Sequence, residues 1–189
     1  KHVSKSGAKF NPDKTKWFNQ QYLQLKSDNE LTDLFLAHTL AMKINPILMT
    51  SVNTIAKHLD DKEYIKKVIS LIKERAIFVS DLLSLGSFFF IAPTSYHDKA
   101  KKQWKEGTPE LMNELISVLK PIENFSSNNI ETVVKTWIAS KAIGFGKIMQ
   151  PLRLSLVGAM QGPHLFDIMD LIGKNETLER IERAVKSLA

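Results

Sequence analysis

Histidine binds metals and shuttles protons near pH 7, so His2, His38, His58, His97 and His164 are the first residues to weigh for chemistry. None of them forms a helical pair four apart with a carboxylate beside it, and their spacing recruits no metal. Cysteine is absent, which removes thiolate ligands, disulfides and cysteine nucleophiles together and fits a reducing compartment. No nucleophile elbow or P-loop occurs, and Gly144-Phe145-Gly146 lacks the third glycine and the preceding strand of a dinucleotide fingerprint. The aspartates and glutamates are scattered over helical faces and form no acid/base couple. What remains is the chemistry of binding. Twenty-six Lys and Arg against 20 acidic residues leave a net charge of +6, which suits a polyanionic partner and salt-sensitive association. Lys99, Lys101, Lys102 and Lys105 make a basic strip able to follow phosphates, although a solvated helical face is the simpler reading. Trp17, Trp104 and Trp137 could stack on bases, but at helical spacing a Trp is more often core, and the same holds for Phe88, Phe89 and Phe90.

These groups must be positioned by helices, because strand signals are nearly absent while helix start and stop signals recur every ten to twenty residues. The class is all-α. Asn11-Pro12 places a cap before a proline at the first helical position and opens a helix to Leu25 carrying Trp17, Phe18 and Tyr22. Ser27 and Glu30 form a capping box for a helix with Leu31, Leu34, Phe35 and Leu40. Asn45-Pro46 repeats the start signal for 47–59, and Asp60 or Asp61 caps a helix bearing Tyr64, Ile65, Val68, Ile69 and Ile72. A second periodic stretch, Ile77, Leu82, Leu83 and Leu85, runs into the Phe triplet and stops before Pro93. Thr108-Pro109 opens a helix ended by Pro121, and Asn128 with Glu131 boxes the next. Glycines 144, 146, 158, 162 and 173 predict short helices and tight turns, and Glu176/Arg180, Glu179/Arg183 and Glu182/Lys186 read as exposed pairs on the last helix. No apolar run approaches the ~20 residues of a membrane span, so no membrane is expected. The first ten residues lack the apolar stretch of a signal peptide and read as a cut inside a longer protein, with the cytoplasm as default location.

Three stretches, in order, resemble the C-terminal half of bacterial-type glutamate–tRNA ligases of class I. The first is Phe10-Asn11-Pro12-Asp13-Lys14-Thr15-Lys16-Trp17-Phe18-Asn19-Gln20-Gln21-Tyr22, similar to the helix that closes the family's stem-contact domain. The second runs from Ile69 to Phe90, through Ile72-Lys73-Glu74-Arg75-Ala76, Leu82-Leu83 and the Phe triplet. The third is the most specific: Met149-Gln150-Pro151-Leu152-Arg153-Leu154-Ser155-Leu156-Val157-Gly158, then Gly162-Pro163-His164-Leu165-Phe166, and finally Ile172-Gly173-Lys174. Val3-Ser4-Lys5-Ser6 is similar to the tail of the family's ATP-holding Lys-Met-Ser-Lys-Ser loop, but its Met is missing and no nucleotide-binding strands flank it. The catalytic half, with its His-Ile-Gly-His signature, is absent, and residues 99–120 carry no family signature.

The resemblance implies the end of a stem-contact domain over residues 1–26 and two helical subdomains, 27–94 and 95–189, that form an anticodon-binding cage and flex where they meet near Phe90 to Tyr96. It implies binding of glutamate tRNA by a monomer, no cofactor in this region, and ATP with magnesium for the missing catalytic domain. It nominates Arg75 for the third anticodon base and Arg153 for the first, with Gly162 and Leu165 shaping the pocket of Arg153; the plain alternatives are an ordinary surface cation at Lys73/Arg75 and an Arg153 that ties down a Gly-rich turn through backbone carbonyls. An Arg suits the third position because glutamate anticodons end in cytosine, whose pairing edge offers two acceptors to a guanidinium fork, whereas the guanine of glutamine anticodons presents donors there. The family often has a hydroxyl-bearing residue where Gly162 stands. A class I lysine–tRNA ligase, with a related helical cage, and a helical protein-interaction scaffold are the rival readings.

Overall fold

The computed structural model describes residues 11–43 and 60–188, and every regular element among them is helical. The Val3–Ser6 motif and the helix read for 47–59 lie outside the described residues. Helix α1 (Pro12–Leu25) starts where Asn11 Oδ1 accepts from the backbone N–H groups of Asp13 and Lys14, at 3.0 and 3.2 Å. Helix α2 (Asp28–Lys43) begins with the expected reciprocal box: Ser27 N donates to Glu30 Oε2 at 2.8 Å and Glu30 N to Ser27 Oγ at 3.2 Å. Asp61 caps α3 (Lys62–Ile72) through Tyr64 N at 2.9 Å, and a 3₁₀ turn, Lys73–Arg75, follows. Helix α4 (Val79–Phe90) starts where Asp81 Oδ2 accepts from Ile77 N and Phe78 N, both at 2.9 Å. A short turn of helix, α5 (Asp98–Lys101), leads to α6 (Thr108–Leu119), α7 (Ser127–Ser140), α8 (Gly146–Val157), α9 (Leu165–Ile172) and α10 (Lys174–Leu188).

Two sets of helices follow from their apolar faces. Helices α2, α3 and α4 pack on one another through Leu31, Phe35, Ile65, Val68, Ile69, Ile72 and Leu82, all nearly inaccessible. Helices α6 to α10 form the second set, with α10 laid against α6 and α8, and α7 against α9. Helix α9 touches both α3 and α4, and the buried apolar residues form one continuous cluster from Leu23 to Ile181.

Three readings of the sequence need correction. Arg180 is no exposed partner of Glu176: only 2% accessible, it donates Nε to Glu176 at 2.7 Å and Nη1 to the carbonyls of Phe88 and Leu156 at 2.7 and 2.8 Å. These carbonyls lie near the C-terminal ends of α4 and α8, where a helix leaves acceptors without intrahelical donors. One side chain thus ties both helix ends across the expected subdomain junction. Trp17 is 56% exposed, because α1 buries Leu23 and otherwise docks through polar groups: Asn19 Nδ2 donates to Ile77 O, and Gln20 and Gln24 donate to Glu74 O. Helix α7 starts one residue before Asn128, and its first turn is held from α9 instead, with Ser127 N donating to Asp170 and Ser127 Oγ to Asp167. The Phe triplet is buried as expected, and Trp104 and Trp137 pack partly buried against the core.

Candidate nucleic-acid interface

The turn that ends α3 sets the first candidate side chain. Ile72 is buried, Ala76 is buried and extended (φ −83°, ψ 137°), and Ala76 N returns to Lys73 O at 3.1 Å, so Lys73–Arg75 is a tight corner between two anchored residues. Lys73 Nζ meets Asp28 Oδ1 at 2.6 Å, and the α1 amides hold Glu74 O and Ile77 O from the other side. With its neighbours so occupied, Arg75 is left exposed, and it has no hydrogen bond or ion pair among the described residues.

Helix α8 sets the second. Its residues Ile148, Pro151, Leu152 and Leu154 to Val157 are buried, and the accessible side is a narrow stripe of Gly146, Lys147, Gln150 and Arg153. The helix stops at Gly158, whose φ of +79° suits glycine. A Cβ there would lie 2.9 Å from both Pro93 Cβ and Ser95 O, and His97 N donates to Gly158 O at 2.8 Å, so the chain crosses itself with no room for a side chain. Beyond this corner the backbone turns back and Arg153 Nη1 donates to Gln161 O at 3.0 Å.

Arg75 lines a hollow, and Arg153 is bonded to the carbonyl of Gln161, a residue of its wall. Ile72, Arg75, Leu85, Gln161, Gly162 and Pro163 line a cavity of about 320 Å³ where the two helical sets meet. Gly162 has φ +107°, and a Cβ on it would sit 3.2 Å from Phe88 Cζ and 3.5 Å from Arg153 Nη1. Burial lowers the Arg153 pKa below its ordinary value, and the like charge of Arg75 lowers it further. No carboxylate pairs with either guanidinium among the described residues. Two neighbouring cations with no carboxylate between them repel one another and are suited to receive acceptor edges and phosphates.

Of the four nominated residues, Arg75 and Gly162 line the hollow, and Arg153 stands behind its wall, bonded to Gln161 O and 3.5 Å from where a Gly162 Cβ would lie. Leu165 does not line the hollow: it opens α9 at 2% exposure inside the core. His164, half exposed, packs edge-on against Phe166 at 5.4 Å and stands 3.8 Å from Asp167. Gln161, which offers Arg153 its carbonyl, and the apolar walls Ile72 and Leu85 have no distinguishing signal in the sequence. A backbone acceptor carries no residue preference, and the walls look like any core position. Among the described residues no cluster of acids and histidines could hold a metal, and no helix is long and apolar enough to cross a membrane.

Residues 36–185 match the family described as "Anticodon binding domain". The chain is 55% identical over 186 residues to the glutamate–tRNA ligase of Flavobacterium psychrophilum, covering 98% of this chain and 34% of that protein. It is 41% identical over 186 residues to the glutamate–tRNA ligase of Porphyromonas gingivalis, with the same coverage. A crystal structure of a glutamate tRNA ligase from Elizabethkingia meningosepticum superposes on 99% of the chain with a TM-score of 0.83 at 41% identity. The glutamate-tRNA synthetase of Elizabethkingia anophelis superposes on 98% with a TM-score of 0.78 at 39% identity. The chain spans about a third of the length of these relatives, covering 34% of each. With only helices among its described regular elements, and matched to that family over most of its length and to glutamate–tRNA ligases over nearly all of it, the chain belongs to the anticodon binding domain family.

Proposed function

We propose that this chain is the anticodon-binding part of a glutamate–tRNA ligase, and that it binds and checks the anticodon of glutamate tRNA. The observation that carries this reading is a hollow lined by Arg75 and Gly162 whose wall at Gln161 is bonded by Arg153, with no carboxylate paired to either arginine among the described residues. The guanidinium of Arg75 donates to the two acceptors on the pairing edge of the third anticodon base, cytosine, and meets guanine's donors with like-signed hydrogens. Arg153 is fixed by its bond to Gln161 O, keeps further N–H groups for the first anticodon base, and is backed by the Gly162 turn and, from the core, Leu165. Anticodon bases are splayed out of the loop, and the hollow of about 320 Å³ is at the lower end of the ~300–1,000 Å³ of ligand sites, the scale of a single base.

In this reading residues 1–26 end a stem-contact domain, and 27–94 and 95–189 are the two subdomains of the cage. The protein is a cytoplasmic monomer, this region takes no cofactor, and ATP with magnesium is used by the catalytic domain. The relatives favour glutamate over the lysine–tRNA ligase alternative. Binding of the chain to glutamate and glutamine tRNAs at two salt concentrations tests the reading. Preference for glutamate tRNA, with affinity falling steeply as salt rises, supports it, whereas salt-insensitive binding points to a protein-interaction scaffold and equal, salt-sensitive binding to phosphate contacts without anticodon checking.

A further inference from the structure

The largest hollow among those described lies elsewhere, at the N-terminal end of α8. It holds about 700 Å³, well inside the ~300–1,000 Å³ range of ligand sites, and Leu111 is the apolar side chain of its lining, with Gln103, Lys105, Glu106, Thr108, Lys147 and Gln150 around it. Neither Lys105 nor Lys147 has an ion pair or side-chain hydrogen bond among the described residues. The segment that presents Lys105 is built rigidly: Trp104 packs against the core, Lys105 N donates to Thr108 Oγ1 at 3.0 Å, and Thr108 N returns to Lys105 O at 3.0 Å.

The cleft and the arginine hollow share one surface. Gly146 and Gln150 line the cleft, and Arg153 continues the same stripe, since positions 146, 150 and 153 follow the helical spacing of one face. Seven residues at ~1.5 Å rise put Gly146 and Arg153 about 10 Å apart along the axis, the reach of about three stacked nucleotides at ~3.4 Å each. The basic strip runs beside it: Lys99 lines a hollow with Met160 and Gln161 near the Arg153 end, and Lys105 stands at the Gly146 end.

We propose that this cleft is a second RNA subsite, which takes a nucleotide on the 5′ side of the anticodon with its base against Leu111 and its phosphates on Lys105 and Lys147. The 5′ side follows from the assignment above, because a strand with its third anticodon base at Arg75 and its first at Arg153 leaves Arg153 in the 5′ direction. The proposal rests on that anticodon reading. The amide groups of Gln103 and Gln150 and the carboxylate of Glu106 supply donors and acceptors for a base edge, and the Leu111 side chain supplies an apolar contact for its face.

Two variants of the full-length ligase test it, with binding to glutamate tRNA measured across a salt series. Lys105→Gln combined with Lys147→Gln removes two phosphate contacts and should flatten the slope of log affinity against log salt by about 1.4. The ratio of glutamate to glutamine tRNA affinities should stay as in the wild type. Gly146→Phe fills the cleft without changing charge. A Cβ at Gly146 meets only the Gln150 amide, at 3.9 Å, so the fold tolerates it, and affinity should fall about tenfold with the salt slope unchanged. Wild-type slope in the lysine variant overturns the phosphate contacts, and wild-type affinity in Gly146→Phe overturns the base subsite. Failure of the anticodon reading shows on another axis, as an unchanged glutamate-to-glutamine ratio in Arg75→Gln.

Discussion

Arg75→Gln exchanges a five-donor guanidinium for an amide with both a donor and an acceptor at a corner whose backbone is held independently. The fixings of that corner, Lys73 to Asp28 and the α1 amides to Glu74 O and Ile77 O, do not involve the Arg75 side chain, so the fold should be unaffected. A base-specific bidentate contact is worth about 1–3 kcal/mol of discrimination. Arg75 is exposed in a half-open hollow, where water competes for the same acceptors, which places the loss toward the lower part of that range. A loss of about 1–2 kcal/mol narrows the affinity gap between glutamate and glutamine tRNAs by roughly 5- to 30-fold. The like charge that Arg75 imposes on Arg153 disappears at the same time, so contacts made by Arg153 are kept or strengthened, and the change falls on the ratio more than on total affinity. The assay is competitive binding of both tRNAs to full-length wild type and variant at matched salt, repeated at a second salt concentration. An Arg that only holds phosphate would weaken both tRNAs alike and flatten the salt slope by about one unit. That pattern, with an unchanged ratio, would refute base reading by Arg75.

The other predictions concern the frame that brings the pocket together. Arg180→Met strips the Phe88 and Leu156 carbonyls of their buried donor, and at ~1–3 kcal/mol for each orphaned group it should cost about 2–5 kcal/mol in urea unfolding. A loss under about 1 kcal/mol would show that the bridge is dispensable. Gly158→Ala meets a φ of +79° and two contacts at 2.9 Å, so thermal unfolding should show a loss of at least ~1–3 kcal/mol, and wild-type stability would contradict the crossing of chains at Pro93 and Ser95. Tyr64 donates to Phe89 O at 2.7 Å, and burial pushes its pKa from 10.0 up to about 12. The folded state holds that proton more tightly than the unfolded state, so its contribution is complete below pH 10 and is lost as pH rises through 10 to about 12. Tyr64→Phe should lack this alkaline loss, and parallel stability curves for wild type and variant would exclude it. The chain alone, without the family's catalytic signature, should give no ATP–pyrophosphate exchange, and robust exchange would disprove that.

Much of this molecule is decided by neighbours in sequence. Asn11 before Pro12, Ser27 with Glu30 and Asp61 before Tyr64 cap their helices as read, because a cap bonds groups two or three residues away. The apolar spacing of Ile65, Val68, Ile69 and Ile72 likewise determined a buried helix face, and the Pro-Leu-Arg and Gly-Pro-His-Leu-Phe stretches carried the family resemblance. Other features depended on groups that the sequence leaves far apart. Arg180 reads as half of an exposed pair until α4 and α8 set two carbonyls beside it, and Ser127 finds its helix cap on α9. Trp17 reads as core, yet α1 docks through amides that point at backbone carbonyls. The pocket is the clearest case. Arg75 ends a turn, Arg153 lies on a distant helix, and only the packing of α9 against α3 and α4 closes the space between them. Local bonding energies act over a few residues and leave a sequence signature, whereas a meeting of side chains from two helical sets is settled by how their apolar faces fill one shared core.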